Sequence, residues 1–388
     1  IGSPSATEAI PMSLVNAVGE LENSLDPASK RSWLLLKVLA ILKHGESLQR
    51  LKRIEHESPI FPRHAEELLE RDLIQVRSAT AMIRQGEGIE DQIKILVSPR
   101  PVRDYVLSRM SQQEIDNLVK KAVALYFGEG WRTESTSLKK LNGKLISDDG
   151  SLLQNPHFLV TRLLETPSVW QSTDSAEPVL GLCGIYCSAL LDAKNYRNCA
   201  IVCRDVLSII PTEGFSAPRD TIEIMLAKSL RMLGEHSEAR SLYQRLLTVD
   251  RSKNVKAQLL LNYAMCLQSI GDKTAIAVAR DVINLTPKTA CALQAESIIF
   301  EIEEDEESAA KLLRLEVHAR KSGFNTVANN LVLNRTASNK STDADTALRQ
   351  VHTTATAGGD FYTAARATVR IAARSLRESA TLSNIDLS

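Results

Sequence analysis

Ala227-Lys228-Ser229-Leu230-Arg231-Met232-Leu233-Gly234-Glu235-His236-Ser237-Glu238-Ala239-Arg240-Ser241-Leu242-Tyr243 is the stretch whose reading decides the fold. It reads as helix, turn, helix, with Gly234 in the turn and Leu247 closing the unit. Small side chains at Ala227 and Ala239 let two helices approach closely. Tyr243 is bulky enough to fill the gap to the next pair. A helix pair of this kind does not bury its apolar face alone and needs neighbours stacked on it.

Outward from this unit, small residues recur at matching places in the second helix of each expected pair: Cys199, Ala239, Ala275, Ala309 and Ala347. Their spacings of 40, 36, 34 and 38 residues lie near the roughly 34 of tetratricopeptide units. Pro211 and Pro287 fall where such units end. The pattern predicts a tetratricopeptide-like α-solenoid over 176–388, weaker towards the Thr-, Ala-, Ser- and Gly-rich stretch from Thr336 to Asp360.

The N-terminal half reads differently. Leu14, Val18, Leu21 and Leu25 give an amphipathic helical lead-in over 1–30. Asp26-Pro27 reads as an N-cap with proline at the first helical position, opening the apolar run Trp33 to Leu42. His44-Gly45 ends that helix and Ser47 caps a short one. A third, after Pro59 and Pro62, carries Ala65, Leu68 and Leu69. Leu73 to Val76 turns strand-like, Gly86-Glu87-Gly88 reads as a hairpin turn, and Ile93, Ile95 and Val97 share one face of a returning strand that Leu96 interrupts. Helices followed by a β-hairpin, then a helix from about Pro99 carrying Val102, Tyr105 and Val106, predict a winged-helix-like domain over 31–110. Ser111-Gln112-Gln113-Glu114 is a capping box opening a helix that stops at Gly128. The rest of 111–175 reads as a helical connector, with turns at Asn142-Gly143 and Asp148-Asp149-Gly150. The fold class is therefore mostly α, a winged-helix module with a small β-hairpin preceding an α-solenoid.

Composition narrows the function. The 388 residues carry 47 basic and 47 acidic side chains, a balance that argues against an electrostatic footprint for nucleic acid or anionic membrane. Six cysteines, irregularly spaced between Cys183 and Cys291, predict reduced thiols and a cytoplasmic setting rather than a disulfide framework. The run Trp33 to Leu42 is broken by Lys37 and too short to span a bilayer. Ile1-Gly2-Ser3-Pro4 opens abruptly, as in a piece of a longer polypeptide, and no secretory signal gives the acceptor triplet Asn334-Arg335-Thr336 a context.

Three stretches carry a family resemblance: Trp33-Leu34-Leu35-Leu36-Lys37-Val38-Leu39-Ala40-Ile41-Leu42, Ala65-Glu66-Glu67-Leu68-Leu69-Glu70-Arg71-Asp72-Leu73-Ile74, and Val102-Arg103-Asp104-Tyr105-Val106. Over roughly residues 10–110 the chain resembles the winged-helix region of STAND-type signal-transduction NTPases, the group that includes NLR-like proteins and bacterial antiphage sensors. The resemblance implies an NTPase core upstream of Ile1, with ATP or ADP belonging to that core and no cofactor in this chain. It also implies a protein ligand on the repeat groove and an antiviral output. The family's nucleotide-sensing histidine would fall at about Pro99, so that contact does not carry over.

No G-x-x-x-x-G-K-[ST] occurs in the chain, and Gly143-Lys144 lacks both the preceding glycine and the following hydroxyl, so no enzymatic nucleotide chemistry is expected here. A winged helix can read DNA with its third helix. That helix presents Glu66, Glu67, Glu70 and Asp72 against Arg63 and Arg71, which repels phosphates. Cys183-x₃-Cys187 and Cys199-x₃-Cys203 have spacing that suits zinc, but Cys187 and Cys199 sit at the small-residue positions where helices touch, so no metal is expected. The seven histidines form no catalytic constellation, and the run Glu301 to Glu307 reads as a solvated helix junction. The repeat alignment aims Lys228, Arg231 and Gln268 into the groove as partner-binding residues. The alternatives are a DNA-binding winged-helix regulator with a repeat ligand domain, and a plain tetratricopeptide scaffold.

Overall fold

The computed structural model describes residues 11–55, 59–81, 91–132, 151–303, 307–336 and 344–385. Tertiary contacts divide the chain into two compact units, 1–222 and 223–388. The described residues form eighteen α-helices and one small three-stranded sheet.

The first unit is built around α2 (Pro27–Ile41). Asp26 caps it, its carboxylate accepting from the Ser29 N–H at 2.8 Å, and Pro27 presets the first turn. Leu35, Leu36, Val38, Leu39 and Ile41 are all buried, an apolar surface too wide for a peripheral helix. Accordingly α1 (Met12–Asn23), α4 (Pro62–Glu70), α5 (Arg100–Arg109) and α6 (Gln112–Phe127) all pack on it. Between them lie the two-residue strand β1 (Glu46–Ser47), the one-turn helix α3 (Leu48–Leu51) capped by Ser47, and the pair β2 (Gln75–Ala81) and β3 (Asp91–Val97). The sheet is antiparallel in the order β1-β3-β2, with Glu46 opposite Leu96 and Gln75 opposite Val97. The expected turn at 86–88 lies outside the described residues. Ile95, Leu96 and Val97 are all buried. Leu96 breaks the alternation because β3 is the central strand and is covered on both faces at this end.

The described part of 111–175 contributes to the core. The helix α6 buries Leu118, Val119, Ala122, Val123, Tyr126 and Phe127. The helix α7 (Ser151–Leu164) packs against α6, α8 (Thr173–Asp192) and α9 (Tyr196–Ile209). The expected turns at Asn142-Gly143 and Asp148-Asp149-Gly150 lie outside the described residues. Only half of the capping box forms. Ser111 Oγ accepts from the Glu114 N–H at 3.3 Å, but the Glu114 carboxylate turns to Lys37 on α2 at 2.6 Å. A charged partner on another helix outcompetes the local backbone amide.

The second unit runs from the C-terminal part of α10 (Ser216–Leu233) through α11 (His236–Leu246), α12 (Lys253–Ser269), α13 (Ala275–Leu285), α14 (Ala290–Glu303), α15 (Ser308–Lys321), α16 (Asn325–Arg335), α17 (Ala344–Ala357) and α18 (Phe361–Ile385). From α11 onward each helix packs on the next, and α12, α14, α16 and α18 also touch in succession. Apolar clusters follow in chain order, one around Ala264, Ala279 and Ile298, another around Leu315, Ala328 and Leu331, a third around Leu333, Leu348 and Ala367.

One turn motif recurs. At Gly234, Gly271, Gly323 and Gly359 the backbone enters the left-handed region, with φ between 72° and 82°. The next N–H bonds back five residues, Glu235 to the Leu230 carbonyl, Asp272 to Leu267, Phe324 to Ala319 and Asp360 to Ala355, at 2.8–2.9 Å. In the first unit Lys194 (φ 61°) and Asn195, bonding to Leu190, do the same between α8 and α9. This is the Schellman closure, which glycine adopts without steric cost.

The motif also corrects the small-residue register. Its spacings are 40, 37, 52 and 36 residues, and the long interval contains α14. Because α14 is interposed, α15 and α17 are the first helices of their tight hairpins, not the second. Ala309 is accordingly exposed and Ala347 half-buried. Ala328 and Ala364, five residues after Gly323 and Gly359, are buried where Ala239 follows Gly234. Likewise Leu246 at the end of α11 is buried, and Leu247 is only half-buried.

Candidate functional site

A row of polar side chains crosses the alternate helices of the second unit. Gln268 Nε2 on α12 donates to Glu301 Oε2 on α14 at 2.9 Å, and Asn334 Nδ2 on α16 donates to Glu301 Oε1 at 2.7 Å. Arg366 on α18 donates to Asn330 Oδ1 at 3.2 Å, and Arg370 donates to the Leu333 carbonyl. Burial pushes the Glu301 carboxyl up, while the two amides, Ser297 and the Arg370 charge pull it back. An amide–carboxylate–amide ladder of this kind has donors and acceptors suited to polypeptide backbone.

Of the three residues expected to bind a partner, Gln268 joins this row. Lys228 is exposed on α10. Arg231 is half-buried, and its charge acts on Tyr243 of α11 and Cys266 of α12. The sequence reading missed Glu301 and Asn334. Glu301 was absorbed in an acidic run and Asn334 in a glycosylation triplet, although the even 33-residue spacing from Gln268 marks both. That triplet ends a helix, with Thr336 buried and the Asn334 amide engaged.

Glu301→Gln tests the ladder. Because Glu301's carboxyl is raised, its proton is held more tightly in the fold than in the unfolded chain. The stability it contributes is present at low pH and is lost as pH rises through its titration. The variant is expected to gain stability relative to the parent as pH rises from acid to neutral, matching or exceeding it at neutral pH, in urea unfolding followed against pH. A variant that loses ground to the parent as pH rises would contradict the assignment.

Three of the cysteines converge. Sγ of Cys203 lies 3.7 Å from Cys187 and 3.9 Å from Cys199, and the three lie within 4.8 Å of one another. Hydrogen bonding to Cys199 and Cys203, with burial, pushes the Cys187 thiol up, and burial raises Cys183 to about 12. Thiols held protonated in this way are poor nucleophiles. These are the residues that would hold a soft cation if any did. Their separations fit both sulfur–sulfur contact and a shared tetrahedral ion, and Cys199 donates to the Cys187 carbonyl at 3.5 Å. With a disulfide-exchange reagent at neutral pH, half-buried Cys291 is expected to react first, and buried Cys183 and the three clustered thiols only on unfolding. Rapid native-state labelling of that cluster would overturn the packing account.

At α4 and its C-cap, Glu67 and Arg71 are already paired. Ser32 Oγ donates to Glu67 Oε2 at 2.5 Å, and Arg71 pairs with Glu20 at 2.7 Å and with Glu67 at 3.4 Å. Arg63 lies over the Phe61 ring at 5.7 Å, leaving Glu66 and Glu70 exposed on that helix.

The densest buried polar cluster of the first unit joins four elements. Glu46 is 1 % exposed. Its carboxylate accepts from the Ser47 N–H at 2.7 Å, from Arg50 at 3.0 Å and from the Tyr126 hydroxyl. Asn155 on α7 donates to the Tyr126 hydroxyl at 3.0 Å and to the Gly45 carbonyl at 2.7 Å, and accepts from the His44 N–H at 3.2 Å. Burial pushes the Tyr126 phenol far up, and the neighbouring Glu46 charge raises it further. Every polar group named here has a partner, which marks a structural network.

No helix among the described residues is long and apolar enough to cross a membrane. Compared with known protein families, with curated proteins and with solved structures, the chain matches none.

Proposed function

We propose that this chain is the non-enzymatic regulatory and sensor region of a STAND-type signalling NTPase. In this reading a winged-helix-like module precedes a tetratricopeptide-like solenoid that recognises a protein partner, with antiphage defence as the setting. The recurring left-handed closure at Gly234, Gly271, Gly323 and Gly359 carries the repeat part of the reading. Helix pairs stacked by such turns present an extended face without a central cavity, which suits macromolecular ligands. The polar row through Gln268, Glu301 and Asn334 supplies that face with hydrogen-bonding groups. The winged-helix part rests on the three stretches quoted above and on the sheet order β1-β3-β2.

The coding sequence upstream of Ile1 tests the NTPase part. A phosphate-binding loop is expected there, and an initiation codon immediately before Ile1 overturns it. This chain alone is expected to turn over no ATP. The DNA-binding alternative predicts a salt-dependent shift of duplex DNA at submicromolar protein. The paired Glu67 and Arg71 favour the regulatory reading over it.

A further inference from the structure

Four of the six cysteines sit on one helix hairpin of the first unit, Cys183 and Cys187 on α8, Cys199 and Cys203 on α9. All four are fully buried. The four-residue spacing puts each pair on one face of its helix. Cys187, Cys199 and Cys203 form a triangle with sulfur separations of 3.7 and 3.9 Å on two sides and none above 4.8 Å. At a zinc–sulfur length of about 2.3 Å, the edge of a tetrahedron of thiolates is about 3.8 Å. Cys183 lies one turn before Cys187, outside the triangle but near enough for its charge to act on Cys203. Close packing by itself does not ask for sulfur. Counted from the left-handed residues Lys194 and Gly234, the places of Cys187, Cys199 and Cys203 are taken in the next hairpin by Ala227, Ala239 and Tyr243, all buried. Thiols are weak donors and weak acceptors, so gathering them as S–H groups gains little.

We propose that Cys183, Cys187, Cys199 and Cys203 form a structural zinc site that ties α8 to α9. The three clustered sulfurs supply three corners of the tetrahedron, and Cys183 turned towards them supplies the fourth. The ion replaces the four thiol protons, which leave to solvent. Without a cation, burial keeps those protons on sulfur; a divalent ion reverses that balance. The negative charge left on the thiolate set is favoured by the first turn of α9, which contains Cys199. A tetrahedron closed by four sulfurs leaves no position for water or substrate, so the site holds the hairpin together and does no chemistry. It departs from the expectation that this chain carries no cofactor. Slow labelling is common to packed and to zinc-bound sulfur, so metal content separates the two.

The test is elemental analysis of the whole chain, purified without a polyhistidine tag or chelator. One zinc per chain is expected. Cys203→Ala keeps a small buried side chain, as packing requires, and its zinc content should be at least tenfold lower. Cys266→Ala, at a buried cysteine outside the cluster, should keep the full equivalent. If Cys203→Ala does not fold, the parent chain refolded with Co²⁺ decides. Thiolate-to-cobalt charge transfer and the intense visible bands of a tetrahedral site are then expected. Parent chain that takes up no zinc on refolding with zinc and reductant, retention of the ion by Cys203→Ala, or a cobalt spectrum without thiolate charge transfer would each overturn the proposal. Stoichiometric copper in place of zinc would overturn it too, since thiolates also take copper(I).

Discussion

Glu46→Ala is expected to destabilise the first unit by about 2–4 kcal/mol, because it removes the buried carboxylate shared by half-buried Arg50, the Tyr126 hydroxyl and the Ser47 N–H. Arg50, packed 4.9 Å over the Tyr126 ring, would lose its counter-charge. The Tyr126 hydroxyl would lose its acceptor and the Ser47 N–H its carboxylate. The backbone here has no room to rearrange. Gly45 holds φ at +75°, and a Cβ there would lie 2.4 Å from the Leu96 carbonyl oxygen. Tyr126→Phe removes a single hydroxyl and should cost about 1–3 kcal/mol, the penalty of an unsatisfied buried group. Urea unfolding of parent and variants measures both. A loss below about 1 kcal/mol for Glu46→Ala would show that water replaces the carboxylate and that the network is not a closed unit.

The second large effect lies in the other unit. Tyr243 is 1 % exposed on α11, its ring 6.4 Å from that of Tyr263 on α12. Tyr243→Ala empties the space between consecutive helix pairs and should cost about 3–5 kcal/mol, the range for truncating a large buried aromatic. Tyr243→Phe should have a small effect. The hydroxyl is buried with the Arg231 guanidinium as its polar neighbour, at a geometry that leaves the hydroxyl and Arg231 Nε poorly satisfied. Removing so weakly bonded an oxygen is expected to change stability by less than about 1 kcal/mol. Thermal unfolding of the pair separates ring from hydroxyl. Comparable losses for both variants would mean that the hydroxyl is satisfied by ordered water.

The comparison of particular residues shows what a one-dimensional reading reaches. Asp26-Pro27, Ser47, Ser111 and Gly128 announced helix ends, because capping depends on residues within one turn of each other. Gly234 marked a turn for the same reason. Ala309 and Ala347 were misplaced because a repeat read by spacing alone absorbs an extra helix as a small change of period. Nothing local distinguishes α14 from a member of a pair. The candidate sites were less legible still. Gln268 was singled out, but its partners Glu301 and Asn334 lie 33 and 66 residues away, each inside a pattern with a simpler local meaning.

Composition, caps and apolar periodicity thus determined by themselves that the chain is predominantly helical, with a short hairpin-bearing region before a run of helix–turn–helix units. These are short-range properties, set by backbone sterics and by which side chains a single element must hide. Only the tertiary structure decided the pairing phase around α14 and the closed network of Glu46, Arg50, Tyr126 and Asn155. Each depends on which helix faces follow one another in space, and that is settled by packing volume and charge pairing between residues remote in the chain.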